Sequence, residues 1–163
     1  MKKVSQILIV MAIMSLMSCG QLHVVTLYVD TSQIEQSNTD QYVHFGQPDG
    51  ISNKDFTTHV RRGDKIIWEA VSISESKEPV KIDSIYHISG EEIFRRKSSG
   101  VTIPWLTTNS SLPEANGIPR VLFAGTIKKR PSEQRAFLWE KYGIAFTIDE
   151  VSYNIDPMIK AYR

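Results

Sequence analysis

The sequence predicts an all-β protein, a single antiparallel β-sandwich. Three observations predict it. Short segments rich in β-branched and aromatic residues recur along the chain, and turn residues separate them. No stretch carries the apolar period of a long amphipathic helix. A single cysteine, Cys19, excludes a disulfide within the chain, so the fold must be held by packing.

The elements follow in order. The first strand falls at residues 22–29, where Val24, Val25, Thr26 and Val29 are β-branched. A polar stretch leads to a short apolar segment at residues 42–45, and Gly46-Gln47-Pro48-Asp49-Gly50 is a turn by composition. Residues 56–60 and 65–71 form the clearest β unit, joined by a tight turn at Arg61-Arg62-Gly63-Asp64. Ile66, Trp68 and Ala70 share one face of its second strand, and Lys65, Ile67 and Glu69 share the other. Residues 80–88 alternate imperfectly: Val80 and Ile82 share a face, Ser84 breaks it, and Ile85 is out of phase. A β-bulge near Asp83-Ser84 accounts for the shift.

Residues 95–119 contain Pro104, Pro113 and Pro119 among Ser, Gly and Asn, and are expected to form a long irregular loop. Long structureless loops in compact domains are often functional. A strand resumes at residues 120–127, before the basic turn Lys128-Lys129-Arg130-Pro131. Residues 132–142 also suit a short helix, but Tyr142, Ile144, Phe146 and Ile148 fall on one face at period two, which favours a strand. The final segment, residues 151–159, carries Pro157, which suits an edge strand.

The N-terminus has a different character. Lys2 and Lys3 precede an apolar run over residues 7–17, and Leu16-Met17-Ser18-Cys19 closes it. The run is too short for a permanent membrane span and reads as a signal peptide over residues 1–18, leaving a domain at residues 19–163. The closing four residues resemble the lipobox of bacterial lipoproteins. That resemblance implies a diacylglycerol on the Cys19 thiol, cleavage just before it, and attachment through more than one acyl chain. A single chain would hold only marginally. Gly20, Gln21 and Leu22 follow, with no aspartate beside the cysteine, so the family's inner-membrane retention signal is absent. The expected address is therefore the periplasmic face of the outer membrane. The first strand begins three residues after Cys19, so the domain should lie against the bilayer surface.

Two further segments carry resemblances. The stretch from Val60 to Trp68, with Gly63-Asp64 before the apolar run, resembles the start of a core strand in cupredoxin-like sandwiches. The closing Tyr153-Asn154-Ile155-Asp156-Pro157-Met158-Ile159 resembles the end of small secreted proteins from Bacteroidota and of inclusion-body (PixA-like) proteins. These imply a cupredoxin-like or immunoglobulin-like sandwich. Cupredoxins bind copper through two His and a Cys, and no cysteine follows residue 19, so copper electron transfer is not implied.

The remaining chemistry is sparse. The 19 basic and 18 acidic residues become 17 and 18 once Lys2 and Lys3 are removed, a net charge of −1, which gives no electrostatic reason for nucleic-acid binding. His23, His44, His59 and His87 lie on separate segments without metal-binding spacing, and Asp49, Asn53 and Asp55 lack the length and terminal glutamate of a calcium loop. Glu91-Glu92 and Asp149-Glu150 read as solvated turns rather than a glycosidase pair. Asp83-Ser84-Ile85 matches a short O-glycosylation pattern described for Bacteroidota proteins. No cofactor is expected. Ile103, Trp105 and Leu106 on the long loop are the candidate binding residues. The expectation is a non-catalytic binding or assembly module for another envelope protein. The alternatives are a small-ligand or glycan binder and a hydrolase with an unrecognised site.

Overall fold

The structure, a computed structural model, describes residues 20–75, 78–96, 123–128 and 131–163. In chain order the strands are β1 (Leu22–Val29), β2 (Val43–His44), β3 (Thr57–Arg61), β4 (Lys65–Ser72) and β5 (Lys81–Gly90). They continue with β6 (Phe94–Arg96), β7 (Phe123–Ile127), β8 (Phe137–Ile148), β9 (Val151–Ile155) and β10 (Met158–Tyr162). One helical turn, Thr39–Tyr42, precedes β2. The first sheet runs β2-β1-β4-β7-β6, and the second runs β3-β10-β8-β5 with β9 also on β8. The architecture is the expected all-β sandwich.

Its sheets are mixed, which corrects the expectation of purely antiparallel pairing. β1 lies parallel to β4, and β10 parallel to β3. The cause is the turn at residues 61–64. It does not fold β4 back onto β3 but carries the chain across the sandwich, leaving β3 in the second sheet and β4 in the first. Gly63 sits at φ 94, a conformation that favours glycine, and its N–H donates to the Ile127 carbonyl (3.0 Å).

Period-two alternation builds the core. Val25, Leu27 and Val29 of β1, Ile66 and Trp68 of β4, and Tyr142, Ile144, Phe146 and Ile148 of β8 all point between the sheets and are buried. Trp68 is 1 % exposed; its Nε1–H donates to the Tyr142 hydroxyl at 3.1 Å, and its ring packs on Phe94 and Tyr142. Gly125 makes room for it, since a Cβ there would stand 3.1 Å from the indole.

Local readings hold at several points. The register of β5 against β8 shifts between Ile82 and Ser84, the expected bulge, and again between His87 and Ser89. Residues 137–148 are strand throughout. Arg95 and Arg96 belong to β6, and the rest of the anticipated loop lies outside the described residues. The final segment is an edge strand in its first half only: β9 pairs with β8 alone among the described strands, β10 lies between β8 and β3, and Pro157 stands between the two. The proline is buried at the junction of β9 and β10, which share one register on β8 (Ile144 opposite Ile155, Lys141 opposite Met158). There its carbonyl accepts the Tyr142 N–H (3.1 Å), and its missing N–H interrupts the strand while leaving the register intact.

Candidate binding surface

The inward alternation of β8 forces a second set of side chains outward. With Leu138, Glu140 and Tyr142 buried, Phe137, Trp139, Lys141 and Gly143 stand on the outer face of the second sheet. Register brings Tyr162 beside Phe137 and Lys160 beside Trp139, while β3 adds His59 opposite Lys160. The rings touch: Phe137 and Tyr162 centroids lie 5.8 Å apart, those of His59 and Tyr162 5.4 Å, and Lys160 Nζ stands 5.2 Å from the Phe137 centroid. On the β5 side Tyr86 lies over Gly143, where a Cβ would come within 2.2 Å of its ring, and its hydroxyl donates to Asn154 Oδ1 at 3.2 Å. Trp139 lies over Gly90, whose Cβ would come within 2.8 Å of the indole.

This surface gathers several of the molecule's exposed large apolar side chains, three of them aromatic. Phe137, Trp139 and Tyr86 are 39 %, 40 % and 40 % exposed, and Ile88 at the second β5 bulge is 43 % exposed. Scattered exposed apolar residues are ordinary, but several adjoining aromatics on one sheet face mark an interaction surface.

Polar groups beneath and beside it are structurally engaged. The Glu140 side chain is fully buried; its carboxylate accepts the Ile93 N–H (2.8 Å) and pairs with His87 Nδ1 (2.9 Å). Burial pushes the Tyr142 hydroxyl above its usual range. At one end of the sandwich, Asp64 Oδ1 accepts the Gln21 N–H (2.8 Å), and Oδ2 accepts the Arg61 N–H (2.8 Å) and pairs with His23 Nε2 (2.9 Å). Burial opposes the charged form of Asp64, but these bonds prevail and lower its pKa.

The residues singled out in the sequence fall as follows. Cys19, Ile103, Trp105 and Leu106 lie outside the described residues. The four histidines do not converge: His23 pairs with Asp64, His44 stacks on Tyr28, His59 lies by Tyr162, and His87 pairs with Glu140. Asn53, in the acidic turn, is a buried clasp, donating to the Val43 carbonyl (2.8 Å) and accepting from Gln47 Nε2 (2.8 Å). Asp149 and Glu150 make the β8–β9 turn, at φ 45 and 68. A polar groove of about 590 Å³ runs between the helical turn and β9, lined by Gln36, Asn38, Asp40, Lys54, Ser152 and Asn154 among others.

No family model matches the chain, and neither does any curated protein. Among solved structures it is similar to the crystal structure of an inclusion body protein (PixA) from Burkholderia cenocepacia. What they share is the fold. At 13 % identity the likeness covers 90 % of this chain and 98 % of that one, with a TM-score of 0.56. The sandwich topology thus agrees with the PixA-like resemblance carried by residues 153–159. Phe137 and Trp139 were the residues missed in the sequence. Their signal lay in the same alternation that placed Tyr142 and Ile144 inside, read on its other face.

Proposed function

We propose that the chain is a bacterial envelope lipoprotein, held to a membrane by lipid on Cys19 once residues 1–18 are removed, and that it docks another envelope protein without catalysing a reaction. The observation that carries the docking reading is the aromatic face on which Phe137, Trp139 and His59 are exposed and Tyr162 is half-buried. Tyr, Trp and Phe on a rigid element supply large contact area at low entropic cost, and such residues dominate binding energy at protein interfaces. The rings are tilted against one another, with interplanar angles of 44° for Phe137–Tyr162 and 33° for His59–Tyr162. Such a surface suits interdigitating side chains better than one flat ring. The lipid reading rests on Leu16-Met17-Ser18-Cys19.

Labelling of cells with a palmitate analogue, followed by membrane fractionation, tests the anchor. Label and membrane attachment are expected in the wild type and absent in Cys19→Ala; an unlabelled, soluble wild type overturns the anchor. Crosslinking in intact cells tests the docking face. Trp139→Ala and Phe137→Ala should each reduce a specific crosslinked species by about tenfold or more, and undiminished crosslinking by both variants refutes the assignment of this face.

A second reading attaches to the polar groove beside the helical turn, whose concavity and hydrogen-bonding side chains fit a small polar ligand or glycan. Saturable binding of an oligosaccharide that Asp40→Ala weakens, while Trp139→Ala does not, would favour it.

A further inference from the structure

We infer that the end of the sandwich from which the anchor emerges is a membrane-contacting surface that recognises anionic phospholipid headgroups; this rests on the reading of Cys19 as the lipidated residue. β1 and β4 begin at this end, β3, β7 and β10 finish there, and the turn at residues 61–64 crosses it. Gly20 is fitted against that turn so closely that a Cβ would stand 2.0 Å from the Gly63 carbonyl oxygen, and the next residue, Gln21, is tied by its N–H to Asp64 and by its carbonyl to the Lys65 N–H (2.8 Å). No slack chain separates Gly20 from the folded domain. A lipid on Cys19, one residue earlier, therefore brings the end of the sandwich to the bilayer.

The charge of that end suits the contact. Arg61, Arg62, Lys65 and Lys128 are all exposed there, and the exposed Leu22 is paired in register with Lys65. The carboxylates of the same end are largely engaged. Asp64 and Glu140 are buried and hydrogen-bonded, and Glu91 is ion-paired with Arg135 (3.0 Å). The opposite end has the reverse character: Asp30, Glu35, Asp49, Asp55, Asp149 and Glu150 cluster around loops that hold only Lys54 and Lys81 among the described cations. With 17 basic and 18 acidic residues after Met1, Lys2 and Lys3 are set aside, the domain is nearly neutral, yet the charge of the described residues is divided along the strand axis. Near an anionic leaflet such a molecule is oriented with its basic end inward and its acidic end outward.

Among the described residues the core cluster runs from Val25 to Ala161, so a chain of residues 20–163 keeps all of it and is expected to fold without the lipid. Its sedimentation with vesicles of phosphatidylcholine and phosphatidylglycerol, against phosphatidylcholine alone, is the test. Binding to the anionic vesicles at low salt is expected, with loss at high salt as screening shortens the field. Arg61→Gln together with Arg62→Gln should weaken it about tenfold or more. Lys54→Gln with Lys81→Gln, which removes equal charge from the other end, should leave it unchanged. No binding to anionic vesicles, or equal loss from both double variants, overturns the inference. Palmitate labelling of the full chain reads the anchor separately: a labelled protein whose domain ignores anionic vesicles refutes the surface alone, and an unlabelled protein refutes the anchor itself.

Discussion

Asp64 shows how much one buried carboxylate holds together here. Its two oxygens take backbone N–H groups from Gln21 and Arg61 and pair with His23, joining the start of β1 to the turn that crosses between the sheets. Because its folded pKa is lowered, the ionised form is favoured in the folded state. The stability it contributes is therefore complete above the ordinary Asp pKa and disappears as pH falls through the lower folded value. Replacing Asp64 by Ala leaves two backbone donors without their acceptor. At neutral pH this should cost about 3 kcal/mol, read as a fall in the urea midpoint, and the gap between wild type and variant should narrow as pH drops below the carboxylate range. A gap that is constant with pH would contradict the role assigned to the charge. In the sequence Asp64 was legible only as a turn residue. Gln21 and His23, its partners, lie about 40 positions away, and nothing in local pattern announces a bond at that distance. Trp139 was legible in principle, because the alternation over residues 137–148 has two faces.

Elements were read more fully than their pairings. The strand character of β1, β4, β5 and β8 follows from β-branched residues at period two, and the Asp83-Ser84 bulge follows from a slip in that period. Which strands neighbour one another does not follow, because the residues 61–64 have the composition of a tight turn whether the chain doubles back or crosses to the other sheet. The β8–β9 connection offers a direct test of turn chemistry. Asp149 and Glu150 both hold positive φ (45 and 68), the geometry of a two-residue hairpin turn that Asn-Gly adopts with least strain. Exchanging the pair for Asn-Gly relieves that backbone strain and should stabilise the protein by about 1 kcal/mol, seen as a rise in thermal midpoint. The opposite sign is expected at Gly90, held at φ 86 with a Cβ position 2.6 Å from the Trp139 carbonyl oxygen. Gly90→Ala should destabilise by about 1–3 kcal/mol and shift Trp139 fluorescence, since backbone and indole must both move.

At the scale of the molecule, the last strand lies in the interior of a sheet. β10 sits between β8 and β3, Ile159 and Ala161 are fully buried, and Met158 hydrogen-bonds to the Phe56 carbonyl at 2.9 Å. Its partner β3 begins at residue 57, so the second sheet closes only when the end of the chain returns to a segment from its first half. β1, in turn, is held beside β4 in parallel register along its whole length. Both sheets therefore depend on pairings between distant segments, and a single apolar cluster joins them. Deleting residues 158–163 removes the strand joining β3 to β8 and strips cover from the inner faces of both. The expected result is loss of the whole fold, with Trp68 exposed to solvent in the first sheet although the deletion lies in the second. Far-ultraviolet circular dichroism and tryptophan fluorescence check this together. In the intact domain the two signals should report one coincident unfolding transition, and refolding should be slow, on the order of milliseconds to seconds. In the deleted chain neither should show a transition. A truncated chain that kept a folded first sheet and a buried Trp68 would show that the sheets are stable separately, and that the shared core does not make them one cooperative unit.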